Sequence, residues 1–254
     1  GDLEYIQILL SNTNERDAEN MDMALICASH KGYLDIVKNL ISAQANVNAS
    51  NTLGSTALHH ACYKGNLNVV RFLAIHGRAD ITSANRFGDT VLHRAASQGH
   101  LDIIKFLHKE CKANVQVRNN SGDTLLLRAS HHGHVKVVEY LLETAKVSPL
   151  EKDSRKNSAL HWAARSQNKK HSLEVVKCLL HHKANIAERD EFGATPLHDA
   201  ASNYNFGVVQ YLIALKADPE VSDSKGTRAS EVIDKLRRKI SICDKTILSH
   251  IAND

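Results

Sequence analysis

The chain has no run of eighteen apolar residues to span a membrane, and nothing at its start reads as an apolar signal segment. Its five cysteines, Cys27, Cys62, Cys111, Cys178 and Cys243, are odd in number and fall in neither CxxC pairs nor a zinc-site spacing. Five reduced thiols and no metal are therefore expected, in a cytoplasmic setting with the nucleus as the alternative. Aromatic residues make up only 5% of the sequence and the net charge is +4 over 254 residues, which argues against nucleic acid as the partner. No GxxxxGK[ST] phosphate loop, HExxH helix or GxSxG elbow occurs, and no cysteine sits in a nucleophile context. Neither catalysis nor a cofactor is expected.

What the chain has instead is internal repetition. The stretch GSTALHHACYKGNLNVVRFL from Gly54 to Leu73 recurs as GDTVLHRAASQGHLDIIKFL from Gly88 and GDTLLLRASHHGHVKVVEYL from Gly122. With the residue that opens each unit as marker, the register runs Met23, Thr56, Thr90, Thr124, Ser158, Thr195 and Arg228, at spacings of 33, 34, 34, 34, 37 and 33. Such a period means units that cannot bury an apolar face alone and must stack, giving one solenoid rather than two globular domains.

Residue types at fixed offsets describe the unit. Thr56, Thr90, Thr124, Ser158 and Thr195 can cap a helix with their hydroxyls. Alanines at 28, 61, 95, 129, 163 and 200 let neighbouring first helices approach closely, and Gly32, Gly65, Gly99 and Gly133 end those helices. The pairs Val69/Val70, Ile103/Ile104 and Val137/Val138 give the second helix its buried stripe. Asn51, Asn85, Asn119, Asp153, Asp190 and Asp223 begin Asx-x-x-Gly turns, with Lys156 in place of the glycine in the fifth.

With these residues in hand, the chain resembles the ankyrin-repeat family, whose T-P-L-H-x-A phrase appears at Thr56–Ala61, Thr90–Ala95 and Thr195–Ala200. The resemblance covers essentially the whole chain and implies an all-α fold, an ankyrin-repeat solenoid of helix-turn-helix units with β-turn or hairpin fingers. Residues 1–19 are expected to hold the second helix of a partial unit and a loop from Ser11 to Asn20. Complete units follow at 18–50, 51–84, 85–118, 119–152, 153–189 and 190–222, and a polar capping unit at 223–254. The fifth departs most: Lys156 and Gln167 replace glycines, and about four residues, Lys169 to Ser172, are inserted, read as a surface loop or as a basic knob for a partner. Tyr204 replaces a glycine in the sixth, and Leu127 the usual histidine in the fourth. A lysine-rich stretch from Lys235 to Lys239 reads as part of the cap rather than a targeting signal.

Of sixteen histidines, His59, His93, His161 and His198 occupy the family's structural offset, and His100 and His134 follow a helix-ending glycine; all are expected to be scaffold. The pairs His131-His132 and His181-His182 diverge on a helix, unlike i, i+4 metal ligands.

The resemblance also implies a concave groove lined by the fingers and first helices, where a protein partner binds. Carried onto this sequence, the groove offsets hold Lys31, Tyr63, Lys64, Arg94, Arg128, His131, His132, Trp162 and Arg165, with no acidic residue before Asp199. Five cations beside Tyr63 and Trp162 predict a basic-aromatic groove for an acidic or phosphorylated segment. Leu53, Phe87 and Phe192 fall at finger tips, as contacts or as packing within the finger row. The expected function is a non-catalytic protein-interaction scaffold, monomeric on its own, without nucleic-acid or membrane partner. In size and repeat number it is similar to ankyrin chaperones of proteasome assembly; the alternative is the ankyrin region of a larger effector or signalling protein.

Overall fold

The computed structural model describes residues 15–235. The expected helix at the start of the chain, the last part of the capping unit at 223–254 and most of the Lys235–Lys239 stretch lie outside them. Helices pair along the chain as α1 (Glu15–Lys31) with α2 (Leu34–Ser42), α3 (Ala57–Lys64) with α4 (Leu67–Ile75), and α5 (Val91–Gln98) with α6 (Leu101–Lys109). Next come α7 (Leu125–His132) with α8 (Val135–Glu139), α9 (Ala159–Arg165) with α10 (Lys169–His181), and α11 (Pro196–Ser202) with α12 (Phe206–Ala214). A π-helical turn, Tyr140–Thr144, extends α8, and a further helix begins at 229.

First helices α1, α3, α5, α7, α9 and α11 stack on one another, and the second helices form an outer layer. The alanines at 28, 61, 95, 129, 163 and 200 are all buried where first helices meet, and Val69/Val70, Ile103/Ile104, Val137/Val138, Val175/Val176 and Val208/Val209 fill the gap beneath the second helices. Fingers are tight: single antiparallel bridges link Ser50 with Thr56, Ala84 with Thr90, Lys152 with Ser158 and Ser222 with Arg228. In every finger the Asx Oδ1 accepts two backbone amides, as Asn85 does from Phe87 and Asp89 at 2.9 and 3.0 Å, closing the turn together with the backbone bonds Gly88 N to Asn85 O and Asn85 N to Asp89 O. Finger is tied to finger by backbone bonds such as Arg86 N to Leu53 O and Asn120 N to Phe87 O.

Gly65 shows why glycine ends a first helix here. Its φ is +80°, and a Cβ would lie 2.5 Å from the His100 ring, which is packed there to donate from Nε2 to the Tyr63 carbonyl at 3.1 Å. The glycine thus opens a slot for the next unit's histidine; His134 makes the equivalent bond to Ser97 O at 3.0 Å.

Two expectations are corrected. The part of the Ser11–Asn20 loop that is described is helical: α1 begins at Glu15 and places Met23 mid-helix, because Glu, Ala and Met around it favour helix and no glycine or proline interrupts them. The insertion at Lys169–Ser172 is not a loop either; it forms the first turn of α10. Lys169 explains why that turn is held. Its ammonium donates to Ser166 O at 3.1 Å and Asn203 O at 2.6 Å, taking carbonyls at the ends of α9 and α11 where Gln167 and Tyr204 replace glycine.

Candidate interaction groove

The face between the fingers and the first helices is built on a ladder of buried imidazoles. Thr56, Thr90, Ser158 and Thr195 cap their helices, and three residues on a histidine turns back so that its Nδ1 accepts from the capping residue's own amide. That fixes the proton on Nε2, which donates to the next unit: His59 to Asp89 O, His93 to Asp123 O and His161 to Ala194 O at 3.0 Å, and His198 to Thr227 O at 3.1 Å. Burial pushes the His59 imidazole down to about 4 and lowers His93 and His161 as well. His59, His93 and His161 are thereby kept neutral, and all four rings tie one unit to the next, as their offset implied. In the fourth unit Leu127 is buried in the histidine's place and the ladder loses that rung.

The basic row is paired within the fold. Arg94 reaches Asp89 at 3.7 Å; Arg128 lies 3.0 Å from Asp123 and 3.4 Å from Asp89; Arg165 lies 3.2 Å from Asp190 and 2.9 Å from Asp199. The acceptor carboxylates are nearly buried, so each guanidinium neutralises charge that the fold itself has placed at the base of a finger or, for Asp199, on the next first helix. Arg94, Arg128 and Arg165 therefore bind the solenoid together instead of offering a row of unpaired cations. Asp89, Asp123 and Asp190 were missed because they stand outside the groove offsets; the legible signal was Asp89 and Asp123, each five residues before an arginine.

Trp162 is half-buried rather than proud of the face. Its Nε1 donates to Asp153 Oδ2 at 3.1 Å, and its ring meets His131 edge to face at 4.8 Å between centroids. His131 and His132 pack against each other at 4.9 Å, and burial lowers both imidazoles, His132 to about 4. Lys31, Tyr63 and Lys64 behave as their offsets implied: all three are exposed, and neither lysine has a carboxylate partner among the described residues. Among the groove offsets named above, the cations without a carboxylate partner among the described residues are thus Lys31 and Lys64, in the N-terminal two units. The basic knob is reduced to Lys170 and His171, since Lys169 is committed to capping.

At the finger tips Leu53, Phe87 and Phe192 are 48%, 54% and 53% exposed. Neighbouring fingers are tied by backbone bonds and by side-chain bonds such as Asn120 Nδ2 to Arg86 O at 3.0 Å. No helix among the described residues is long and apolar enough to cross a membrane.

Comparison with known proteins agrees with this architecture. A family profile for ankyrin repeats (three copies) matches residues 1–85, 75–153 and 147–223. Protein phosphatase 1 regulatory subunit 27 of Homo sapiens is 43% identical over 77 residues, 30% of this chain and 47% of that protein. Glycerophosphocholine phosphodiesterase gde1 of Schizosaccharomyces pombe is 34% identical over 116 residues, 42% of this chain and 10% of that one. The chain therefore spans half or less of the length of the curated relatives it matches. Among solved structures, the human ASB11 ankyrin repeat domain superposes with a TM-score of 0.71 at 26% identity, covering 81% of this chain and 89% of that one. One chain of the complex between the Bd0816 predatory endopeptidase of Bdellovibrio bacteriovorus and immunity protein Bd3460 superposes at 0.64 with 27% identity, covering 75% and 97%.

Proposed function

The chain belongs to the ankyrin-repeat family, a family of protein-interaction scaffolds, and from that premise we propose that it holds an acidic segment of a partner protein at the N-terminal end of its groove. The observation that carries this reading is the contrast along one face. Arg94, Arg128 and Arg165 are matched by carboxylates of the fold, whereas Lys31 and Lys64 flank the exposed Tyr63 with no acidic residue against them among the described residues. Unpaired lysines on a rim steer an acidic partner and set its association rate, and an aromatic between them supplies the contact area that holds it. Exposed Leu53 and Phe87 continue the surface onto the fingers.

Two settings suit such a scaffold. One is a free-standing, monomeric, cytoplasmic or nuclear assembly chaperone that escorts an acidic tail, without enzymatic chemistry of its own. The other is the ankyrin region of a larger protein, and it draws support from curated relatives of which this chain covers only about a tenth, among them a phosphodiesterase. The test is affinity capture with the parent protein and with a Lys31→Glu/Lys64→Glu variant, read by mass spectrometry. Partners specific to the groove are lost from the variant; recovery of the same proteins by both overturns the reading.

A further inference from the structure

The same end of the groove contains a cavity of about 180 Å³, lined by His30, Asn51, Leu53, His59, His60, Tyr63 and Arg94 along with Ser55. It is smaller than a small-molecule site and matches the end of one side chain. Its wall is two imidazoles in contact: His30 Nδ1 and His60 Nδ1 are 3.3 Å apart, and His60 Nε2 is 3.2 Å from Asn51 Nδ2.

The tautomers can be worked out from the turn. Asn51 Oδ1 accepts from the amides of Leu53 and Ser55, both at 3.0 Å, so its amide group is fixed with the NH₂ toward His60. His60 Nε2 must therefore accept, its own proton sits on Nδ1, and that N–H donates to His30 Nδ1. A second proton on His60 would face the Asn51 NH₂, and a second proton on His30 would face the His60 N–H. Either meets a donor. Around the pair stand Lys31 on α1, Lys64 on α3 and Arg94 on α5; Arg94 in turn lies 3.7 Å from Asp89. Burial together with these cations holds both imidazoles below their ordinary value.

Resting on the reading of this groove as a binder of acidic segments, we propose that the His30–His60 pair is a proton-linked receptor for a carboxylate side chain of the partner. An anion entering the cavity removes the reason for neutrality: one ring takes up a proton from solvent, gives up its contact with its neighbour and donates to the carboxylate. The proton comes from solvent and the contact given up is the one between the two rings, so no other reactant is needed. Acid then tightens binding, because protons are bound more strongly by the complex than by the free protein.

A blocked hexaglutamate peptide serves as the probe, in calorimetry at pH 5.5 to 7.5 in buffers of different ionisation enthalpy. For the parent, affinity rises about five- to tenfold from pH 7.5 to 6.0, with more than about half a proton taken up per peptide at pH 6.5. His60→Gln and His30→Gln each abolish the uptake and flatten the pH dependence while melting as the parent does. Proton NMR of the free protein shows both rings titrating below 6.5, with one rising when peptide is added. Binding without proton uptake overturns the inference and leaves the acidic-groove reading standing. Absence of peptide binding, with Lys31→Glu/Lys64→Glu still losing its captured partner, overturns the carboxylate pocket alone.

Discussion

Arg165 holds its Nε 2.9 Å from Oδ1 of Asp199, so a cation on one first helix neutralises a carboxylate on the next. The relationship changes what substitution at the arginine row does. Truncating Arg165 or Arg128 leaves nearly buried carboxylates without a counter-charge, a cost of about 2 kcal/mol after allowance for the part-exposed guanidinium. Arg128→Ala and Arg165→Ala should each lower the urea midpoint measurably. Unchanged midpoints would mean the pairs contribute nothing to the stack.

Stability should fall in mild acid. His59 and His132 have folded values near 4, and burial lowers His93, His131, His134 and His161 too, so the unfolded chain binds more protons as pH drops from 6.5 toward 4. Each full unit of depression corresponds to about 1.4 kcal/mol at most. Asp199 works the other way: burial raises its carboxyl to about 6, so the folded state gains a proton first between pH 6 and 4. Urea titrations should show a net loss below pH 6.5 that is steeper in Asp199→Asn, which lacks the opposing proton. A flat profile would contradict the neutral histidine ladder.

Lys156 and Tyr204 carry φ of +62° and +58° at positions where other units have glycine. Non-glycine residues meet a steric cost there of about 1–2 kcal/mol, partly offset by the greater freedom glycine has when unfolded. Lys156→Gly and Tyr204→Gly should each stabilise by about 0.5–1 kcal/mol. Gly65→Ala should do the reverse, since its Cβ would meet the His100 ring. Thermal melts of the three variants check the order.

The fold was legible because repetition averages out local ambiguity: a capping hydroxyl, an alanine and a turn glycine each mean little once and a great deal when they recur in unit after unit. The irregular fifth unit lost that advantage. Nothing in the sequence around Lys169 says that one ammonium can take two carbonyls 37 residues apart, from Ser166 to Asn203, so an insertion read as a loop when it is a helical turn. Site residues suffered from a related limit. Offsets told which side chains lie on the face, but not that Asp89, Asp123 and Asp190 rise from the finger bases to meet the arginines. Lys31, Tyr63 and Lys64 stay exposed, and no such aspartate stands beside them among the described residues.

Lys169 yields a prediction of its own. A degenerate unit should open before its neighbours in a stack where each repeat touches only the next. Hydrogen exchange over 156–172 should therefore exceed that of the three units before it, and Lys169→Met, which removes both caps, should raise it further. Equal protection in parent and variant would show that the lysine is not what closes this end of α9.

The last prediction separates holding the solenoid together from holding a partner. Tyr63 and Phe87 are exposed, and truncating either removes little buried area from the fold, so Tyr63→Ala and Phe87→Ala should melt within about 0.5 kcal/mol of the parent. At an interface the same truncation of a large aromatic costs about 2 kcal/mol when the ring is an anchor, roughly a thirtyfold loss of affinity that appears as faster release. Lys31→Glu and Lys64→Glu should act on association instead and fade as salt is raised, because rim charges are screened beyond about 10 Å at 0.1 M. Arg128→Ala is the informative control: it should lower the melting temperature yet leave affinity per folded molecule within a few-fold. Kinetic binding measurements on the captured partner, at two salt concentrations, resolve all three behaviours. If Arg128→Ala reduced affinity more than Tyr63→Ala did, the arginine row would face the partner after all, and its aspartates would be exchanged for the partner's own acidic groups on binding.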